Sequence, residues 1–351
     1  MNQKIETQPH LLFTPGPLTT SDAVKRAMLR DYGSREPDFI KLVLTIRNRL
    51  LEIAGVSQKD GYEAVPVQGS GTFGIESVIG SVIPPQGKLL VAVNGAYGRR
   101  IVQIAECLRI PVVTLEFDES EVPDKTQIGA ALQGDPAITH VAAVHCETTT
   151  GILNPIEAIA EVVAEQGRTF IVDAMSSFGG IPIDLSEAPI DILISSSNKC
   201  LEGVPGFSFV ITRRDALESS RGQARSVSLD LAAQWDGLEQ NGQFRFTPPT
   251  HVMLAFLQAL DELRKEGGVT GRYQRYRQSY ETLIGGMEEM GFSCLVRPEL
   301  RSPIITTFVE PANPDFDFEV FYEQLARRGF IIYPGKISRA PSFRIGTIGN
   351  I

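Results

Sequence analysis

The sequence predicts an α/β fold, with a large domain built on a mostly parallel sheet covered by helices and a smaller α+β domain after it. Three observations carry that expectation. Short apolar runs recur between residues 65 and 211, stretches of helical periodicity separate them, and the pattern changes after Thr250. Strands that are apolar along both faces and separated by helices belong in a sheet covered on both sides.

In chain order, Thr14-Pro15-Gly16-Pro17 reads as a rigid turn or extended arm. Ser21 or Asp22 can cap a short helix ending near Tyr32-Gly33. Over 37–54, Phe39, Leu42, Val43, Ile46, Leu50 and Ile53 repeat at helical spacing, with Pro37 near the start and Gly55 just past the end. Buried strands are expected at 89–93, 141–145, 169–173, 191–195 and 207–211, with helices at 75–83, 98–108 and 155–165. Beyond Thr250 the expected elements are helices at 252–265, 268–290 and 317–328 and a strand at 304–309. The expected organisation is an arm at 1–20 joining the small domain, a large domain at 21–250 and a small domain at 251–351.

The 351 residues carry 33 Lys and Arg against 42 Asp and Glu, a formal net charge of −9, which offers no electrostatic footprint for nucleic acid or an anionic membrane. A hydrophobic fraction of 42% excludes wholesale disorder. Cys107, Cys146, Cys200 and Cys294 are widely spaced, so free thiols are the simplest reading, and the four histidines are too scattered for a metal site. The N-terminus lacks a secretory apolar core and no apolar run suits a membrane span, which points to a cytoplasmic protein. Arg272-Tyr273-Gln274-Arg275-Tyr276-Arg277 interleaves basic and aromatic residues; at helical spacing it reads as a solvated face with partly packed tyrosines.

Chemistry concentrates in three places. Gly69-Ser70-Gly71-Thr72-Phe73-Gly74 precedes a helix, and free N–H groups at a helix start suit phosphate, although a tight turn explains the glycines equally. Asp173 ends an apolar strand, where a turn cap is its ordinary role. Lys199 lies between two apolar strands in Ser195-Ser196-Ser197-Asn198-Lys199-Cys200, where confinement would lower its pKa as Schiff-base chemistry requires. Together, in this order, they match what pyridoxal phosphate needs: an amine, a carboxylate for the pyridine nitrogen and a phosphate cradle.

Longer motifs extend the match. They are Leu12-Phe13-Thr14-Pro15-Gly16-Pro17, Asn94-Gly95-Ala96-Tyr97-Gly98-Arg99-Arg100 and His145-Cys146-Glu147-Thr148-Thr149-Thr150-Gly151. Asp173-Ala174-Met175-Ser176-Ser177, 197–206, 244–251 and Phe343-Arg344-Ile345-Gly346 complete the series. On these the chain resembles the class V aminotransferases among the fold-type I pyridoxal-phosphate enzymes. The resemblance implies that Lys199 bonds the cofactor and Asp173 pairs with its ring nitrogen. It implies that Ser70, Gly71, Thr72 and Ser196 hold the phosphate, Tyr97 stacks on the ring and Thr148 meets the phenolic oxygen. Thr247 and Thr250 would reach the phosphate of a neighbouring subunit, making a homodimer with shared sites. Arg344 would bind the substrate anion, with Arg35 a second anion-binding candidate. The implied reaction takes 2-aminoethylphosphonate as donor and pyruvate as acceptor; an alanine– or serine–glyoxylate or pyruvate exchange is the alternative. The family normally adds a helix after Arg344, so the small domain is expected to lack its last one.

Rivals fare worse. A cysteine desulfurase would need a mobile nucleophile loop, which neither Cys200 nor Cys294 marks. A nicotinamide-dependent oxidoreductase calls for G-x-G-x-x-G and an acidic residue at a fitting distance, which 69–74 meets only in part. A non-catalytic cofactor-binding protein would be marked by replacement of Lys199, and the lysine is present.

Overall fold

The structure is a computed structural model describing residues 10–335 and 340–351. Residues 1–9 of the expected arm and 336–339 of the expected small domain lie outside the described residues. Strand β1 (Leu11–Leu12) and helices α1 (Asp22–Ala27) and α2 (Pro37–Ile53) come first. The Ser21 hydroxyl accepts from Val24 N–H, which caps α1, and Pro37 opens α2 where a missing N–H leaves no bond unmade.

A seven-stranded sheet follows. It contains β2 (Tyr62–Gln68), β3 (Lys88–Val93), β4 (Val112–Glu116) and β5 (Ile138–Val144). A hairpin of β6 (Cys146–Glu147) and β7 (Ile152–Leu153) intervenes, and β8 (Thr169–Asp173), β9 (Ile192–Ser196) and β10 (Phe207–Arg213) complete the sheet. The strand order is β2-β10-β9-β8-β5-β3-β4, and β10 alone runs against the others. Val172, Leu193 and Ile194 are fully buried, as strands covered on both faces require. Each such side chain contributes about 1.5–3 kcal/mol through burial.

The covering helices include α3 (Gly71–Val82), α4 (Ala96–Cys107), α5 (Lys125–Gly134) and α6 (Ile156–Glu165). After β10 come α7 (Arg214–Ser219), α8 (Leu231–Asn241), α9 (Thr250–Lys265) and α10 (Gly268–Glu289). Helix α3 begins at Gly71, four residues before the expected 75, because its first turn is built from small residues that carry no apolar period. Strand β4 was not anticipated; it is a half-exposed edge strand and lacks the continuous apolar signature.

A second, antiparallel sheet joins β11 (Ser293–Cys294), β12 (Ile305–Val309), β14 (Tyr333–Pro334) and β15 (Ser342–Gly346) in the order β11-β12-β15-β14. Phe343 is its centre: Phe308 stacks on it at 5.7 Å, and α11 (Phe318–Arg327) adds Phe321 at 5.4 Å. Strand β13 (Phe330–Ile331) pairs in parallel with β1, which ties the arm to this region. Among the described residues no helix is long and apolar enough to cross a membrane.

Because β2, β3, β5, β8 and β9 are parallel, all deliver their C-terminal ends to the same edge of the sheet. Loops leaving that edge are where open α/β sheets bind ligands.

Candidate active site

Seven of the predicted residues lie at or just beyond those strand ends. Strand β2 hands the chain to Gly69-Ser70 and the first turn of α3, β3 to Tyr97 in α4, and β8 ends on Asp173 itself. Strand β9 ends at Ser196, three residues before Lys199. Ser70, Gly71, Thr72, Tyr97, Asp173, Ser196 and Lys199 therefore line one cavity of about 200 Å³.

Ser70 is the N-cap of α3 and commits no side-chain bond to the helix. The first N–H groups of a helix have no intrahelical acceptor, so this wall presents donors and the positive dipole end. A side chain on Gly71 would close the space, since its Cβ would stand 2.5 Å from Met175 Sδ.

Asp173 accepts the Met175 N–H at 2.9 Å. Burial raises its pKa to about 6, against the stabilising pull of that N–H, Lys199 and Arg100. Burial lowers the Lys199 pKa, and the Arg344 charge lowers it further, while Cys200, Asp173 and Cys146 oppose the shift. A carboxylate and an amine whose proton affinities are both moved toward neutrality are the features expected of a site that handles protons.

The cavity also holds residues that sequence reasoning did not assign. Arg100 lies 4.9 Å from the Tyr97 ring centroid and its Nη1 is 3.5 Å from Thr72 Oγ1. It stands three residues after Tyr97 on α4, so helical spacing was the signal that could have found it. Gly16 also lines the cavity, and a Cβ there would come within 2.5 Å of Lys199 Cδ. The arm thus packs on the stem of the lysine. Glu147 is fully buried; its Oε2 accepts the Tyr97 N–H at 3.1 Å and its Oε1 the Thr149 hydroxyl at 2.5 Å. Burial raises its pKa to about 7, with those hydrogen bonds opposing. His145 is buried with Nδ1 2.9 Å from Ser177 Oγ, and burial lowers its pKa to about 3.

Thr148 and Arg344 lie outside the cavity lining but bond to each other. Arg344, 1% exposed, donates from Nη1 to Thr148 O at 2.9 Å and from Nε to Pro334 O at 3.0 Å. The Thr148 hydroxyl is buried without a partner among the described residues. An unpaired buried hydroxyl is costly.

Arg35 and Thr247 come together elsewhere, lining a separate surface cavity of about 350 Å³. Thr250 begins α9 nearby and also stays outside the Lys199 cavity. Gln68 connects the two places: its Nε2 donates to the Phe246 and Thr247 carbonyls at 3.2 Å, one residue before Gly69.

These features fit pyridoxal phosphate. The cavity offers an amine, a buried carboxylate, an aromatic side chain and a helix N-terminus, and the orphaned Thr148 hydroxyl follows Glu147, whose carboxylate accepts the Tyr97 N–H.

Comparison with known proteins agrees. The family model "Aminotransferase class-V" matches residues 23–347. The chain is 53% identical over 344 residues to a 2-aminoethylphosphonate–pyruvate transaminase of Vibrio vulnificus, covering 97% of this chain and 93% of that one. A Bacillus cereus protein of the same name is 53% identical over 343 residues, with the same coverage of 97% and 93%. Among solved structures, an alanine–glyoxylate aminotransferase from Nostoc sp. superposes with a TM-score of 0.92 at 27% identity, covering 100% of this chain and 93% of that one. A pyridoxamine–pyruvate aminotransferase from Mesorhizobium loti gives 0.89 at 25% identity, covering 99% and 89%.

Proposed function

The chain belongs to the class V aminotransferases, and within that family we propose that it moves the amino group of 2-aminoethylphosphonate to pyruvate. The products are phosphonoacetaldehyde and L-alanine, released in a ping-pong sequence with pyridoxal phosphate as cofactor. The observation that carries this reading is the meeting of Lys199, Asp173 and the N-terminus of α3 in one cavity. The likeness at 53% identity favours the aminophosphonate donor over the alanine–glyoxylate exchange suggested by structures at 27%.

Ser70, Gly71, Thr72 and Ser196 would hold the phosphate, Tyr97 the ring face and Thr148 the phenolic oxygen. When bound, the cofactor supplies a ring that delocalises the electron pair left when a C–H proton departs. Lys199 would hold the cofactor, and its Nζ would take the proton from the donor carbon bearing nitrogen; burial lowers its pKa, which favours the uncharged amine that a base needs. Asp173 would face the pyridine nitrogen and keep a proton there; its buried carboxylate supports that role. Arg344 binds the phosphonate of the donor and the carboxylate of pyruvate in turn, since a guanidinium fork suits both anions.

We further propose a cytoplasmic homodimer, with the division at 20 and 250 as its domain boundaries. Exposed Phe246, which lines the Arg35–Thr247 cavity, and exposed Phe73, whose ring lies against Gly69, would pack on the second subunit. Thr247 and Thr250 would then reach the neighbour's phosphate, and Arg35 its entrance. Turnover tests the reading. Purified protein with pyridoxal phosphate, 2-aminoethylphosphonate and pyruvate should produce L-alanine and phosphonoacetaldehyde in equal amounts. Alanine formation from serine but not from the aminophosphonate would move the protein to the alternative donor class.

A further inference from the structure

Helix α10 is largely solvent-facing, yet it buries Arg272 and Tyr276 completely, four residues apart. The expected solvated face is corrected here: the sequence shows the basic and aromatic residues but not the partners that make their burial possible. Those partners belong to the loop that carries Lys199. Arg272 Nη1 donates to the Cys200 carbonyl at 2.7 Å, one residue beyond the lysine. Tyr276 Oη lies 2.7 Å from Glu202 Oε1 and 3.1 Å from the same carbonyl, so its one proton serves the charged contact. Arg275 Nη2 donates to Glu202 Oε1 at 2.6 Å, and its Nη1 donates to Gly349 O at 2.6 Å.

Glu266 closes the set, accepting from Arg272 Nε at 2.6 Å and from Arg275 Nε at 2.7 Å. Two guanidiniums thus face two carboxylates, and no net charge is buried. Glu202 has φ +59°, a left-handed conformation uncommon for a non-glycine residue, and three groups of α10 surround its carboxylate. The loop closes on itself as well: Glu202 N–H donates to Lys199 O and Gly203 N–H to Ser197 O, both at 2.8 Å.

Buried charges are a poor way to gain stability alone, because well-packed apolar residues do as well or better. Their value lies in fixing one geometry, and here the geometry fixed is the main chain of the reacting amine. We propose that Arg272, Arg275 and Tyr276 are positioning residues, a latch from α10 that sets the orientation of Lys199. The proposal rests on the reading of Lys199 as the reacting amine.

The test compares holoenzymes carrying Tyr276→Phe, Arg275→Gln and, as a control, Arg277→Ala. Arg277 lies on the same helix, is exposed and pairs with Glu281 on that helix. Turnover, visible circular dichroism per bound cofactor, cofactor release on dialysis and melting temperature are measured for each. The latch predicts that Tyr276→Phe and Arg275→Gln lose about 5–20-fold in kcat, with KM for both substrates within about twofold. Their visible dichroism weakens and cofactor release quickens, while Arg277→Ala matches the wild type. Should Tyr276→Phe fail to fold, the milder Arg275→Gln carries the test alone. Lowered melting temperatures with wild-type kcat, dichroism and release would overturn the latch and leave a structural ion cluster. A wild-type protein that takes up no pyridoxal phosphate would instead remove the premise, and the latch with it.

Discussion

Arg344 donates to the carbonyl oxygen of Thr148 at 2.9 Å, so backbone aims the guanidinium, and among the described residues no carboxylate forms an ion pair with it. Its guanidinium keeps donors for an incoming anion, and burial makes each charged hydrogen bond count for more than in water. Arg344→Lys retains the charge and loses the fork. The kcat/KM for both 2-aminoethylphosphonate and pyruvate should fall about 10–100-fold, the loss of one or two charged hydrogen bonds. Steady-state kinetics with each substrate varied would show it; unchanged values for both would remove Arg344 from the anion site.

Gly16 touches the lysine from the other side. Its φ is +121°, and a Cβ would meet Lys199 Cδ at 2.5 Å. Gly16→Ala should lower kcat about tenfold and destabilise the fold by about 1–2 kcal/mol. Gly222→Ala separates the two effects, since Gly222 has φ +76° with nothing within 4 Å of the added carbon. It should lose stability in urea titrations and keep its turnover.

Asp173 makes the cofactor-free protein sensitive to pH in a defined window. Its folded pKa is raised from 3.8 to about 6 by burial, so the folded state holds the proton more tightly than the unfolded chain. That contribution to stability is complete below about pH 4 and is lost as pH rises through about 6. Asp173→Asn removes the effect. Relative to wild type, the cofactor-free variant should gain about 2–3 kcal/mol between pH 4 and 7, at about 1.4 kcal/mol per pKa unit. Urea unfolding of both proteins across that range gives the difference directly. A constant difference would show that Asp173 is not held protonated by burial.

Phe73 and Phe246 are 51% and 45% exposed, and both lie close to the loop that ends in Ser70. The double substitution Phe73→Glu with Phe246→Glu should halve the mass seen by light scattering and weaken cofactor retention together. A dimer that survives both changes would place the subunit contact elsewhere.

Much of this was legible in the sequence, for physical reasons. Central strands such as Ile192–Ser196 are apolar on both faces, and a run of that kind between turn signals has few alternatives. Asp173 stood out because it ends such a run, and Lys199 because it lies between two of them among small polar residues. What escaped was set by tertiary partners. Strand Val112–Glu116 is an edge strand whose pairing with Lys88–Val93, rather than its own pattern, defines it. Arg272 looked solvated and Tyr276 only partly packed because Glu202 lies some 70 residues upstream. Thr247 and Thr250, expected at a neighbouring subunit's phosphate, and Arg35, a second anion-binding candidate, sit apart from the Lys199 cavity in the single chain. No property of one chain's sequence states which of its groups a second copy would use.

The most direct measurement is the absorbance spectrum of the purified protein with pyridoxal phosphate, before and after adding 2-aminoethylphosphonate without pyruvate, alongside Lys199→Ala. The wild type should show a visible band that converts to the shorter-wavelength pyridoxamine form on adding the donor, and pyruvate should restore it. Lys199→Ala should lack the lysine-linked band and fail to turn over. A wild-type band indifferent to the aminophosphonate, or a Lys199→Ala protein that still cycles, would contradict the assignment of this cavity.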